Sequence, residues 1–221
     1  MSKQSTLRLI AVAAATLLAA SAQSASLVVN GSFESNTAGT TKFNPSNAVF
    51  NALMSGVTAY GTREGIDIQT FNSGYGQAPQ EGAWKVSPAN QAGGQSEEFS
   101  MTLAGPLTPG ASYDLSFAIE RLASGQFNGG TVEVGVSTTA TSFGTQIASA
   151  TAPANGWLLA SGSFLAPTAA SYLTVRVITT FGWVGLDNFV LSASPIPEPA
   201  SAALLGAGLA AIVFWRARRR S

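Results

Sequence analysis

Apolar residues recur at every second position through the middle of this sequence, between residues 26 and 194. A β-strand directs successive side chains to opposite faces, so this alternation is typical of half-buried strands. Turn-forming pairs such as Asn155-Gly156 separate the alternating runs. The runs cover residues 99–103, 113–119, 132–136, 158–164, 172–178 and 184–191. Because no sustained helical stripe is available to cover a parallel sheet, we predict an all-β fold, an antiparallel β-sandwich of the jelly-roll type.

Charge and residue types exclude several classes of function. Residues 26–194 hold five basic side chains against ten acidic ones, which leaves a net charge of −5. Nucleic-acid binding draws most of its affinity from clustered Lys and Arg, so we expect no nucleic-acid partner. The 221 residues include no Cys and no His, which excludes disulfides, thiolate nucleophiles, Ser-His-Asp triads and His-ligated metals. Carboxylate chemistry and oxygen-ligated cations remain.

The N-terminal segment has the three parts of a secretory signal peptide. Two basic residues precede an apolar run at 9–20, and small residues follow at 21–25. The general secretion machinery and signal peptidase recognise this order of a positive start, a short apolar stretch and a small-residue cleavage zone. We therefore assign residues 1–25 to a signal peptide that is cleaved between Ala22 and Ala25.

The C-terminal segment has a different organisation. The prolines within 195–199 fix φ and remove backbone donors, so the domain at 26–194 has to end before them. The apolar run at 200–215 would form a helix of roughly 24 Å, somewhat shorter than a ~30 Å hydrocarbon core. We predict a transmembrane sorting helix there, followed by a basic cytoplasmic tail at 216–221. The arginines that hold this tail in the cytoplasm are Arg216, Arg218, Arg219 and Arg220.

The order of Pro197-Glu198-Pro199, a short Ala/Leu/Gly-rich helix and an arginine cluster resembles the PEP-CTERM sorting signal of Gram-negative bacteria. The resemblance implies that an exosortase-type processing enzyme recognises the Pro-Glu-Pro motif. It also implies export, which in this family is usually linked to exopolysaccharide or biofilm production. We therefore expect a membrane-anchored precursor that becomes a cell-surface or extracellular protein.

Several short segments of the central domain are similar to galactose-binding-like jelly rolls, which include many carbohydrate-binding modules. The segments are Asn30-Gly-Ser-Phe-Glu34, 107–113, Trp157 and 185–191. The resemblance implies a structural Ca²⁺ held by Glu34 and Asp187, and Ca²⁺ prefers six to eight such oxygen ligands. The alternative is that Glu34 accepts hydrogen bonds from the backbone and Asp187 caps a turn.

Three aromatic residues are the candidate ligand-binding side chains: Trp84, Tyr75 and Trp183. A pyranose can lay its C–H face on an aromatic ring, which makes such residues suited to sugar binding. Trp84 is favoured because it follows a Gly/Ser-rich loop and precedes Lys85. Packing in the core is the alternative, since position in the sequence does not separate core tryptophans from ligand platforms.

The carboxylates do not predict catalysis. Glu97 and Glu98 are adjacent, so a strand would direct them to opposite faces, and a solvated edge accounts for both. Glu64 and Asp67, three apart, are the other candidate pair. We therefore predict that the chain is not an enzyme but an exported surface or matrix protein, whose domain binds exopolysaccharide. The alternatives are a purely structural biofilm-matrix protein without a specific ligand and a carbohydrate-active enzyme.

Overall fold

The computed structural model describes residues 25–91, 95–122 and 129–195, together with Arg216 and Arg218. The signal peptide up to residue 24, the Pro-Glu-Pro motif, the helix at 200–215 and the remaining tail arginines, Arg219 and Arg220, lie outside the described residues. Within the described part of the chain, no helix combines the length and the apolar character that crossing a membrane requires.

The described elements are twelve strands and one short helix, α1, at Asn47–Leu53. The strands are β1 Val57–Ala59, β2 Asp67–Thr70, β3 Trp84–Ser87, β4 Asn90–Gln91, β5 Gln95–Ser96, β6 Glu98–Thr102, β7 Ser112–Arg121, β8 Thr131–Ser137, β9 Thr145–Thr151, β10 Trp157–Leu165, β11 Tyr172–Val177 and β12 Val184–Ala193. All the alternating runs of the sequence coincide with strands in this set. The strand prediction is therefore confirmed for those runs.

The strands form two five-stranded sheets. Sheet A has the order β1-β6-β11-β8-β9, and sheet B has the order β10-β7-β12-β3-β2. Neighbouring strands are antiparallel throughout both sheets. The chain crosses from one sheet to the other after β1, β6, β7, β9, β10 and β11, and it returns from β3 to β6 through the β4–β5 hairpin. Repeated crossing between two antiparallel sheets is typical of a jelly roll. The predicted antiparallel jelly-roll sandwich is confirmed.

The core lies between the two sheets and is rich in phenylalanine. Phe33, Phe99, Phe117 and Phe189 are at most 2% exposed. The rings of Phe117 and Phe189 stack at 5.1 Å, and Phe33 meets Phe99 edge-on at 6.1 Å. Phe99 of sheet A also meets Phe189 of sheet B edge-on at 6.4 Å. Because edge-to-face pairs stabilise beyond their buried area, this contact stabilises the packing of one sheet on the other.

Two elements do not follow from the sequence pattern. Helix α1 has no apolar stripe, because only Phe50 is buried; it begins where Ser46 accepts a hydrogen bond from the Val49 N–H at 3.3 Å. Strand β9 consists mostly of small and polar residues, with no fully buried residue, so it carries no alternation. β9 is a strand because it pairs with β8, and the residue pattern of its own sequence does not indicate one.

Candidate functional site

A cleft of about 430 Å³ opens beside the β2 end of sheet B. Its lining comes from segments far apart in the chain: the residues before β2, the loop after β2, the β3–β6 region and the start of β12. The lining residues are Phe43, Asn44, Arg63, Gly65, Asp67, Tyr75, Ala89, Gln91, Glu97 and Trp183. Concave sites that join aromatic side chains with a few polar groups are the usual form of a small-ligand site.

Three aromatic rings form one wall of this cleft. The ring centroids of Phe43 and Tyr75 are 5.6 Å apart, and those of Tyr75 and Trp183 are 5.1 Å apart. Phe43 is 46% exposed and Tyr75 is 44% exposed, while Trp183 is half-buried. The backbone N–H of Trp183 donates to the Gly129 carbonyl at 2.8 Å, which fixes the backbone of this residue just before β12. Two of the three predicted ligand residues, Tyr75 and Trp183, thus meet in one site.

The third predicted ligand residue lies elsewhere. Trp84 is half-buried and packs against the hydrophobic core, outside the lining of the cleft. Trp157, the other aromatic residue of this region, donates from Nε1 to the Ala78 carbonyl at 2.9 Å. Trp157 also covers Lys85, whose Nζ lies 5.9 Å from the ring centroid. The structure therefore does not bring Trp84 together with Tyr75 and Trp183.

The floor of the cleft is charged. Glu97 accepts a hydrogen bond from the Ala89 N–H at 2.7 Å, and its Oε1 lies 3.1 Å from Nε of Arg63. Asp67 accepts from the Asn44 N–H at 2.7 Å. Burial raises the pKa of Asp67 to about 6 and that of Glu97 to about 7, against the opposing effects of these hydrogen bonds and of Arg63.

The position of Glu97 corrects the sequence interpretation. Its side chain is 1% exposed, so it is not part of a solvated edge. Glu97 lies between β5 and β6, and Glu98, the first residue of β6, is half-buried beside Tyr60 and Arg176. The adjacent pair is split as predicted, and Glu97 meets Asp67 and Arg63 across the cleft floor instead.

A buried ion pair holds the loop that carries Tyr75. Lys85 of β3 and Glu120 of β7 are fully buried, with Nζ and Oε1 2.6 Å apart. Nζ also donates to the carbonyls of Tyr75 and Gln77 at 2.9 and 2.7 Å, and the Gln77 N–H donates to the other Glu120 oxygen at 2.7 Å. β12 lies between β3 and β7, so the two side chains meet above it, over Gly185. A Cβ added at Gly185 would lie 2.6 Å from Cγ of Glu120, so only glycine leaves room for the pair. The position of Tyr75 therefore depends on this pair.

The two carboxylates expected to bind calcium both accept hydrogen bonds from the backbone. Glu34 accepts from the Ala83 and Trp84 N–H groups at 2.8 and 2.9 Å. Asp187, which is fully buried, accepts from the N–H of Glu81 at 2.9 Å and from that of Asn188 at 2.7 Å. This donor set does not fit a cation, because amide hydrogens face the oxygens that Ca²⁺ would need. The geometry therefore favours the alternative, in which backbone N–H groups satisfy both carboxylates, and the calcium prediction is untested.

Chelation tests this prediction. Because backbone donors already satisfy Glu34 and Asp187, we expect excess EDTA to leave the melting temperature of the exported protein unchanged. The measurement is a thermal melt with EDTA and then with added Ca²⁺, with Mg²⁺ as the matched control cation. A fall of several degrees with EDTA that Ca²⁺ reverses would instead support the structural calcium implied by the sequence.

Four cleft residues escaped the sequence analysis as ligand-site candidates: Phe43, Arg63, Asp67 and Glu97. Asp67 had a usable signal, since it lies between Ile66 and Ile68, and an acidic residue inside an apolar strand is rarely buried without a partner. Phe43 and Arg63 lie in connections with no regular pattern. Only the folded chain brings them to the cleft.

The C-terminal segment matches a family model. Residues 195–220 match the PEP-CTERM protein-sorting motif. The chain carries a PEP-CTERM sorting motif. This confirms the resemblance seen in Pro197-Glu198-Pro199 and the arginine cluster. A PEP-CTERM signal marks an exported, surface-directed protein and implies processing by an exosortase.

Solved structures similar to this chain include carbohydrate-binding modules. The CBM22-1-GH10 modules of the Clostridium thermocellum endo-1,4-beta-D-xylanase 10B, complexed with xylohexaose, share 17% identity over 79% of this chain and 30% of theirs, with a TM-score of 0.49. The CBM22-1 xylan-binding domain of Paenibacillus barcinonensis Xyn10C shares 12% identity over 80% of this chain and 100% of its own, with a TM-score of 0.43.

A phage protein is also similar. The enzymatically active domain of the bacteriophage CBA120 tailspike protein 4 shares 14% identity over 76% of this chain, with a TM-score of 0.46. This chain spans only 21% of that tailspike chain. No curated protein sequence matches this chain.

Proposed function

We propose that this exported domain is a non-catalytic carbohydrate-binding domain, and that it binds exopolysaccharide in the cleft walled by Phe43, Tyr75 and Trp183. The observation that carries the proposal is the convergence of these three rings, with centroid separations of 5.6 and 5.1 Å, on one open cleft. Such a wall offers apolar faces to the C–H surfaces of sugar rings. The PEP-CTERM motif supports a ligand outside the cell, at the cell surface or in the biofilm matrix.

The polar floor supports the same proposal. Asn44, Arg63 and Gln91 line the cleft and offer donors and acceptors to sugar hydroxyl groups. The carboxylates of Asp67 and Glu97 are engaged by backbone N–H groups, and Glu97 by Arg63 as well. Their positions suit holding the cleft walls in place, so we assign them no step of bond cleavage.

Replacing the central aromatic residues is expected to weaken binding. Tyr75→Ala and Trp183→Ala should each raise the dissociation constant for the producing bacterium's exopolysaccharide by roughly 5- to 150-fold, because each removes an aromatic face worth about 1–3 kcal/mol. The measurement is isothermal titration calorimetry or affinity electrophoresis with the purified exopolysaccharide. Phe71→Ala is the matched control, since Phe71 is 71% exposed on the same loop and does not line the cleft.

Trp84→Ala separates the sequence prediction from the cleft. Since Trp84 packs against the core, we expect this variant to lower the melting temperature while binding persists. Unchanged affinity in both cleft variants would contradict the proposed site. Failure of the native protein to bind any exopolysaccharide would favour the purely structural matrix protein, and turnover of a polysaccharide that is lost on Glu97→Gln would favour the enzyme.

A further inference from the structure

We propose that strand β10 is a self-association edge, at which two copies of this chain pair antiparallel and join their B sheets into one ten-stranded sheet. The inference goes beyond carbohydrate binding and does not depend on it. β10 is the outer strand of sheet B and pairs with β7 along all nine residues, from Trp157 to Leu165, without a break in register. Its other side has no strand neighbour among the described residues.

The free side of β10 carries a regular ladder of backbone groups. The Ala166 N–H donates to the Ala111 carbonyl at 2.9 Å, on the β7 side. Alternate residues of an antiparallel strand direct their N–H and C=O groups to opposite sides. The residues that direct theirs to the free edge are therefore Trp157, Leu159, Ser161, Ser163 and Leu165. At about 3.4 Å per residue, this edge is roughly 30 Å long.

The flank that contains β10 has no charge. Residues 134–175 include no Asp, Glu, Lys or Arg, and this stretch contains both β9 and β10, the outer strands of the two sheets. Asp114, which accepts from the Ser163 hydroxyl, lies on β7, one strand inward. Leu159 and Leu165 on β10 are 59% and 68% exposed. Natural proteins usually protect such edges with charged residues, prolines or a covering segment. β10 itself contains no charged residue and no proline.

The opposite edges of the same sheets are protected. In sheet A, the short edge strand β1 is covered by α1, whose Asn51 side chain accepts from the Ala59 N–H at 2.6 Å and donates to its carbonyl at 3.2 Å. In sheet B, the backbone of Lys42 exchanges hydrogen bonds with Ile68 of β2 at 2.8 and 3.0 Å. Among the residues that the structure describes, the fold thus closes both edges at one flank and leaves the β10 ladder without a neighbour at the other.

The edge itself favours a second copy as the occupant, because an uncharged strand offers no ion pair to a charged partner and the same strand of another copy matches it in length and lack of charge. Residues 26–194 carry a net charge of −5, so two copies repel each other over most of their surfaces, and the charge-free flank is where this repulsion is smallest. A two-fold axis through Ser161, the middle residue of β10, would pair each edge residue with its counterpart in the other copy. Both free ladders would then be satisfied by the same contact.

The test places charges at the centre of this edge. The protein is purified from cells that export and process it, and its mass is followed by sedimentation velocity over a range of concentrations. We expect the native protein to form a species of twice its monomer mass, and Ser161→Lys and Ser161→Glu each to remain monomeric. An equimolar mixture of the two variants should form the dimer again, because opposite charges then face each other across the two-fold axis.

Two further variants complete the test. Ser161→Pro removes an N–H that faces the free edge, so it should give a folded monomer whose melting temperature does not depend on protein concentration. Ala48→Lys on α1 adds a charge at an exposed position of the protected flank and should leave the dimer intact. A native protein that is monomeric at all concentrations, a Ser161→Lys variant that still dimerises, or an edge that pairs only with a different exported protein would overturn the self-pairing.

Discussion

Replacing Lys85 by methionine is expected to lower the free energy of unfolding by about 3–5 kcal/mol, because it leaves the Glu120 carboxylate buried without its cation. Both side chains are fully buried, and Nζ lies 2.6 Å from Oε1. Burial raises the pKa of Glu120 and lowers that of Lys85, while the pairing opposes both shifts. Each charge is therefore tolerated only in the presence of the other, and the loss of one is costly.

Chemical denaturation of the native and Lys85→Met proteins measures this cost. A domain of this size should also lose roughly 6–20 °C in melting temperature. The matched control is the double variant Lys85→Met/Glu120→Leu, which removes the isolated charge and should recover part of the loss. A single variant as stable as the native protein, or a double variant no more stable than the single one, would contradict the argument.

Lys85→Met should also weaken ligand binding in the cleft. Lys85 Nζ holds the carbonyls of Tyr75 and Gln77, so its removal releases the loop that places Tyr75 against Trp183. We expect exopolysaccharide affinity to fall at temperatures where the variant is still folded. The double variant should regain stability but not affinity, because the two carbonyls stay without their donor.

Lowering the pH from 8 to 5 is expected to raise the melting temperature by roughly 10–25 °C. Burial raises the pKa of Asp67 to about 6, and those of Glu97 and Asp187 to about 7, from ordinary values of 3.8, 4.5 and 3.8. A carboxyl group with a higher pKa in the folded chain binds its proton more tightly there, so proton uptake favours the folded state. The gain begins as the pH falls through 7 and ends near pH 4, where the unfolded chain is protonated as well.

The size of the effect follows from the three shifts. Each group should contribute about 1–3 kcal/mol between pH 8 and pH 5, since one unit of pKa corresponds to about 1.4 kcal/mol. Calorimetry across this range gives the slope, and Asp67→Asn should make it shallower by removing one of the three groups. Asp114→Asn is the control, because Asp114 lies outside the cleft on the exposed face of β7. A melting temperature that falls steadily from pH 8 to pH 5 would contradict the prediction.

The same buried charges show why the candidate site was only partly predictable. Tyr75 and Trp183 were identified because aromatic side chains near loops are natural ligand platforms. Asp67 and Glu97 were judged as members of local pairs, three apart or adjacent in the chain. In the structure, Asp67 accepts from the backbone N–H of Asn44, and Glu97 from that of Ala89 and from the Arg63 side chain. These partners come from other segments of the chain, so the residues next to Asp67 and Glu97 in the sequence do not indicate them.

The sequence by itself determined the all-β fold, the export motif at 195–220 and the absence of His and Cys chemistry. These follow from properties of neighbouring residues, since a period of two is set by the geometry of a single strand and the sorting motif is read along the chain. Only the tertiary structure decided that Phe43 joins Tyr75 and Trp183, that Lys85 pairs with Glu120, and that β2 is covered while no described strand pairs with the outer side of β10. Each of those outcomes depends on which distant segments pack side by side, and that is set by the crossing of the chain between two sheets.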